Sequence, residues 1–425
     1  MKTLFTLLIA CFISTVSFAQ NIDKIINAKE VSRIENVLAS DDMRGRKTFT
    51  PDIDKAADFI AGEFKKSGLK YFDGLNSYQQ SFSMKKASII SASGNMDGKP
   101  VDADKIFALT TDSVLNIDEN SGFTKVIITD TSNFFKAFSL LKSNQKFLVL
   151  VNPAHERIFQ RLKSSGRESF EDKAPVVFVL TNENPTTYHF EIKNNITSSS
   201  LANVIGVLPG KSKKDEYVIF SAHYDHLGIG KPDAKGDSIY NGANDDAAGT
   251  TAIIMLADYF SKLNNNERTL IFVTFTAEEI GGFGSQYFSK QIDPEKAVAM
   301  FNIEMIGTDS KWGNNSAYIT GYERSDFGKI LQSNLQGSKF HFEPDPYPKQ
   351  NLFYRSDNAT LAALGVPAHT ISTSKMDNEP NYHKASDEIS TLDMNNMAEI
   401  IKAIAISSET IISGKDTPSR VEKRD

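Results

Sequence analysis

The sequence predicts an α/β fold: a mostly parallel mixed sheet with helices on both faces, carrying an inserted accessory α/β subdomain. Three observations predict it. From Leu201 onward, continuous apolar runs alternate with amphipathic helical stretches, the pattern of strands buried on both faces. The stretch from Ser81 to about Ser200 has a different composition, rich in Ser, Thr, Asn and Lys. The unusual polar residues gather just after the apolar runs, where open α/β sheets place their chemistry.

The elements follow in order. Residues 1–19 read as an export signal. Lys2 is the charged start, Leu4 to Val16 the apolar run, and Ser17-Phe18-Ala19 the cleavage site, so the mature chain begins at Gln20 and is periplasmic or extracellular. The run is too short for a membrane span and is followed by polar chain. A lipoprotein box at Leu8-Ile9-Ala10-Cys11 ranks below simple secretion. Cys11 is the single cysteine, so cleavage after Ala19 leaves no thiol, which excludes cysteine catalysis and cysteine-ligated zinc. Residues 20–86 form an N-terminal helical part: Pro51 suits a first turn, Ala56, Ile60, Ala61 and Phe64 share a face, and Gly68 ends the helix. Residues 87–198 make the accessory insertion, with strands over 126–128, 147–151 and 176–180 and helices over 134–141 and 158–162.

Residues 199–413 carry the main sheet. Strands are expected over 204–207, 217–221, 270–276, 299–303, 317–320 and 368–371. One helix presents Ala252, Met255, Leu256, Tyr259, Phe260 and Leu263, and the last long helix covers 394–411. Residues 414–425 are charged and expected to be disordered. With 425 residues and 40% apolar content, the chain can bury a sizeable core. A formal net charge of -6 argues against a nucleic-acid binder, which would carry a basic patch and a high pI. No later segment is long and apolar enough to imply a stable membrane partner.

Five loops hold the candidate chemistry. His223-Tyr224-Asp225 follows a strand: an imidazole to coordinate a metal, with a carboxylate two residues on to orient it. Asn241 to Gly249 presents Asp245 and Asp246 among small residues, either as metal ligands or as caps of the following helix. Glu278-Glu279 leaves a buried strand for a Gly-rich turn. Adjacent side chains on extended chain face opposite ways, so one glutamate can ligate while the other faces substrate as a base. Glu304 ends a strand so apolar that its charge demands a cation or a buried ion pair. His383 lies in the loop after the final strand, where an ordinary loop histidine is the alternative.

Together these segments resemble a known family. "SAHYDHLG", "NGANDDAAGT", "FTAEEIGGFGS", "NIEMIG", "RSDNATLAALGVPA" and "YHKASDE" are similar to motifs of the bacterial leucyl aminopeptidases and their relatives in peptidase family twenty-eight, which includes glutamate carboxypeptidase II and the glutaminyl cyclases. The resemblance covers residues 201–412, and "LASDDMRGR" is similar to members with an inserted domain. It implies a zinc-aminopeptidase/phosphorylase-like fold, a protease-associated-like insertion, peptide substrates and two Zn2+ per chain. It further implies that His223 holds one zinc and His383 the other, that Asp245 bridges them, and that Glu279 and Glu304 complete the sites. Glu278 is then the general base, and Asp225 supports His223. Two positions depart from the family pattern. Glu304 stands where many members have Asp, and Asn358 where many have His, at a position the resemblance places near the pocket. The implied activity is removal of N-terminal residues from peptides. A same-fold carboxypeptidase, a one-zinc glutaminyl cyclase and a non-catalytic relative are the alternatives.

Overall fold

A computed structural model describes residues 22–424 apart from 133, 135–144, 166–167 and 171–172. The expected export signal, Cys11 and nearly all of the helix expected over 134–141 lie outside these residues. The chain divides into two units, one of residues 22–81 with 201–424, the other of residues 82–200.

In the first unit, seven strands build the sheet: β1 (Tyr188–Leu208, through its final residues), β2 (Lys213–His223), β3 (Arg268–Phe275), β4 (Ala297–Ile303), β5 (Ser316–Ile319), β6 (His341–Pro344) and β7 (Ala368–Ser372). Their order is β6-β5-β7-β4-β2-β3-β1. The central strands β7, β4, β2 and β3 are parallel; β1 joins antiparallel to β3, and β5 antiparallel to β7. The mixed sheet thus keeps its parallel part where both faces are covered.

Strand alternation explains how the two faces fill. Val218, Phe220 and Ala222 of β2, with Leu270 and Phe272 of β3, face one core. Ile219, Ile271, Val273 and Phe275 face the other. The helices α1 (Ala28–Leu38), α2 (Pro51–Lys66), α3 (Ala248–Leu263) and α5 (Met394–Ser407) cover the first face, and the helix Phe327–Asn334 adds Phe327 and Leu331 to it. The second face meets shorter helices, Phe283–Ser289 and α4 (Asn358–Ala363), through Phe288, Leu361 and Ala362. Phe220 sits at the centre of the first core, its ring stacked with those of Phe260, Phe272 and Phe301 at 5.6, 5.5 and 4.8 Å.

The second unit has its own sheet, in the order Ile106–Leu109, Val176–Leu180, Phe147–Val151, Thr124–Ile128. The last three are parallel, and Ile106–Leu109 is antiparallel to its neighbour. Leu148, Leu150, Val177 and Val179 face one cluster. Phe147, Val149, Val176 and Phe178 face another, which includes Phe159 of the helix Glu156–Ser165.

The expected long C-terminal helix is interrupted: α5 ends at Ser407 and a short helix follows over Glu409–Ile412. The expected disorder of the tail is corrected. Val421 is buried in the second core, Arg420 Nη1 donates to Ala297 O at 2.8 Å, and Arg424 N–H donates to Ala363 O at 2.9 Å. The tail is charged, but Val421 turns inward, the Arg420 guanidinium finds carbonyls and that of Arg424 lies over the Tyr354 ring. The strand β6 was not foreseen, because His341–Pro344 shows no apolar run.

Candidate metal centre

Every expected site residue except Asp225 brings its side chain to one place, at the carboxyl ends of β2, β3, β4 and β7. His223 ends β2 and is buried. Its Nδ1 lies 3.1 Å from the Asp225 carbonyl oxygen, which accepts that N–H and leaves Nε2 with a lone pair. Nε2 points 3.3 Å from Asp245 Oδ1 and makes no hydrogen bond. The expected role of the Asp225 carboxylate is corrected here. It lies 3.8 Å from His223 Nδ1, and instead accepts the backbone N–H groups of Glu278 and Glu279 at 3.0 and 3.4 Å. Its backbone orients the histidine, while its side chain ties down the glutamate turn.

Asp245 and Asp246 divide the two roles the sequence left open. Asp246 does cap: its Oδ1 accepts the Gly249 N–H at the start of α3, and also the Met305 N–H at 3.0 Å. Asp245 is held from behind, its N–H donated to Asp387 Oδ2 at 3.0 Å. Its carboxylate has one oxygen 3.3 Å from His223 and the other 3.3 Å from His383 Nε2. Burial pushes Asp245 up, but the His223 and His383 rings outweigh it and hold the group well below the usual carboxylate range.

The glutamates also diverge. Glu279 turns away from the cleft, Oε1 2.7 Å from His226 Nδ1 and Oε2 3.1 Å from His383 Nε2. Burial raises its pKa, yet those two histidines bring it below the ordinary value. Glu278 lines the open cleft with Asp245, Glu304 and His383. Burial, reinforced by the charges of Glu304, Asp357 and Glu279, outweighs His223 and holds it well above that value. Glu304 follows β4, half-buried, with a buried Oε2 free of any hydrogen bond. His383 approaches from the solvent side, its side chain 37% exposed and its ring stacked on Tyr382 at 3.9 Å.

The donor set fits metal. Ligand atoms of His223, Asp245 and Glu304 lie within 4.8 Å of one another, as do those of His226, Asp245 and Glu279, so Asp245 is common to two clusters. His223 Nε2, Asp245 Oδ2 and Glu304 Oε2 are buried without hydrogen bonds, a cost that cations relieve. Sequence reasoning missed His226, Asp387 and Tyr382. A second histidine three residues after His223 was the available signal for the first; no spacing marked Asp387. Asn358, expected near the pocket, stands directly behind Thr370 of its wall. It is buried there, donating to the Phe353 and Ala368 carbonyls and accepting from Thr370 Oγ1.

The cleft is open to solvent, with Tyr318, Leu352 and Tyr382 among its walls. Carboxylates and the His383 imidazole floor this cleft at the strand ends of the α/β sheet, a donor set suited to metal-assisted hydrolysis. The profile of Peptidase family M28 matches residues 203–407, which belong to that family. Leucine aminopeptidase 1 of Ajellomyces dermatitidis is 28% identical over 214 residues, covering 47% of this chain and 53% of that protein. This chain therefore spans about half the length of that relative. Leucine aminopeptidase 1 of Paracoccidioides brasiliensis is 24% identical over 360 residues, 80% of this chain and 81% of that one. In fold, a zinc aminopeptidase from Bacillus subtilis superposes with a TM-score of 0.56 at 16% identity, over 91% of this chain and 95% of that one.

Proposed function

We propose that this peptidase is an exported zinc-dependent aminopeptidase that removes N-terminal residues from peptides. The observation that carries the metal reading is Asp245, whose two oxygens face different clusters while Glu278 stands beside it in the open cleft. His223, Asp245 and Glu304 would hold one zinc, and Asp245, Glu279 and His383 the other. Zinc bound there supplies Lewis acidity, polarising the scissile carbonyl and making a water molecule acidic near neutral pH. The relatives named as leucine aminopeptidases support the end of the peptide that is cleaved, and the N-terminal pattern of residues 1–19 supports export.

The chain's own groups do the rest. Glu278, raised by burial and by neighbouring charge, accepts the proton of the attacking water and returns it to the leaving amine. His226 holds Glu279 through Oε1, so that only Oε2 is presented toward the centre. Tyr382 lines the cleft beside His383, and burial keeps its hydroxyl protonated, a donor for the developing oxyanion. The test is cleavage of free aminoacyl peptides and N-blocked peptides by the purified protein, with zinc and after chelation. Zinc-dependent cleavage of the free set alone is expected. Cleavage of blocked peptides from the carboxyl end would overturn the aminopeptidase reading.

A further inference from the structure

Behind the metal centre lies a fully buried arginine, Arg46, at the end of the turn Asp41–Arg46 between α1 and α2. Its Nε donates to the Tyr224 carbonyl at 2.8 Å. Its Nη1 donates to Asn241 O and Leu38 O, both at 2.6 Å, and its Nη2 to Gly242 O at 2.9 Å. Its own carbonyl accepts the His226 N–H at 3.2 Å. Tyr224 follows the ligand His223, Gly242 precedes the ligand Asp245 by three residues, and His226 holds Glu279. One side chain therefore grips both loops that carry the first two ligands, and its backbone grips the residue that orients a third.

The turn is shaped to deliver this grip. Arg44, Gly45 and Arg46 all lie in the left-handed region, with φ of 48, 69 and 45°. A Cβ on Gly45 would lie 2.5 Å from Tyr240 O and 2.7 Å from Gly228 Cα, so only glycine lets the turn seat between the two loops. All four of Arg46's side-chain hydrogen bonds go to carbonyls, none to a carboxylate. A lone ammonium cannot match them, since the guanidinium presents five N–H groups in a fixed planar fork.

We propose that Arg46 is the positioning residue of the metal centre, setting the spacing between the His223 and Asp245 loops. The proposal rests on the zinc reading above. The test is zinc affinity, measured by competition with a chromophoric chelator, for wild type, Arg46→Lys and Arg268→Lys. Arg268 is an equally buried arginine that donates to Glu216 and to the Ile411 and Asp416 carbonyls, away from the centre, and so controls for the general cost of losing a buried guanidinium. Arg46→Lys is expected to bind zinc about 10–100-fold more weakly, the usual range for groups that hold metal ligands. Arg268→Lys should match the wild type. Should Arg46→Lys prove unfolded without metal, the zinc concentration that restores its near-ultraviolet circular dichroism is read instead, and it should exceed that of the wild type. Unchanged zinc affinity in Arg46→Lys, an equal loss in Arg268→Lys, or no recovery of structure at any zinc concentration overturns the proposal. Failure of the wild type to bind zinc would instead overturn the metal reading itself.

Discussion

Glu278 and Glu279 are neighbours with opposite surroundings, and their substitutions should separate metal binding from proton transfer. Glu279 faces two histidines, whereas Glu278 faces the cleft among other carboxylates. Glu278→Gln keeps the shape and removes the base, so zinc content should hold while kcat falls by about 10²–10⁴. Glu279→Ala should lose zinc and activity together. Elemental analysis beside kcat decides this, and near-normal turnover in Glu278→Gln would show the pair assigned the wrong way round. Away from the cleft, Glu35 is fully buried with neither oxygen hydrogen-bonded. Burial raises it from 4.5 to about 8, against the attraction of Arg46. The folded state thus holds an extra proton between those values, and stability is full below about pH 4.5 and lost as pH rises toward 8. Glu35→Gln removes that loss. Its advantage over the wild type should grow between pH 5 and 8 by about 1.4 kcal/mol per pH unit at most, then level off. Urea unfolding across that range reads it, and a constant difference would refute the burial of a titrating carboxylate.

The start of α3 shows how an element carries the centre. Gly249 sits in its first turn, where alanine would ordinarily gain about 1 kcal/mol of helix propensity. Yet a Cβ there would lie 2.2 Å from Ile303 O and 2.4 Å from Asp246 Oδ2. The clash falls on the clamp that joins α3 to the Met305 N–H and so to the end of β4. Gly249→Ala should therefore destabilise by about 1–3 kcal/mol despite its propensity, the usual cost of overpacking; a more stable variant in urea would contradict this. The same segment shows what was legible in sequence. Apolar runs revealed β2, β3, β4 and β7, because parallel strands buried on both faces need continuous apolar residues. Those runs placed His223, Glu279 and Glu304, and the resemblance added Asp245 and His383. Which aspartate caps was not legible, since Asp245 and Asp246 offer the same chemistry and only the fold aims them. Arg46 was hidden for another reason. Its partners are backbone carbonyls, three of the four nearly 200 residues away, which leave no side-chain pattern to read.

At the scale of the whole molecule, each unit carries apolar clusters of its own among the described residues. The two clusters of the insertion draw only on residues between Ile89 and Ile192, and the two large clusters around the main sheet draw on none of them. All five proposed ligands, and Glu278, fall between His223 and His383, within the first unit. Zinc stabilises whatever it binds by RT ln(1 + [L]/Kd), about 4 kcal/mol at a thousandfold excess over Kd, and can act only on the cooperative unit that contains its ligands. A unit of this size gains roughly 2–4 °C per kcal/mol. Differential scanning calorimetry should therefore show two transitions. Adding zinc to chelated protein should move the larger by about 10 °C and leave the other in place, and Glu279→Ala should abolish that movement. One transition that shifts as a whole would mean that the insertion and the metal-bearing sheet unfold together, against the separation of these clusters.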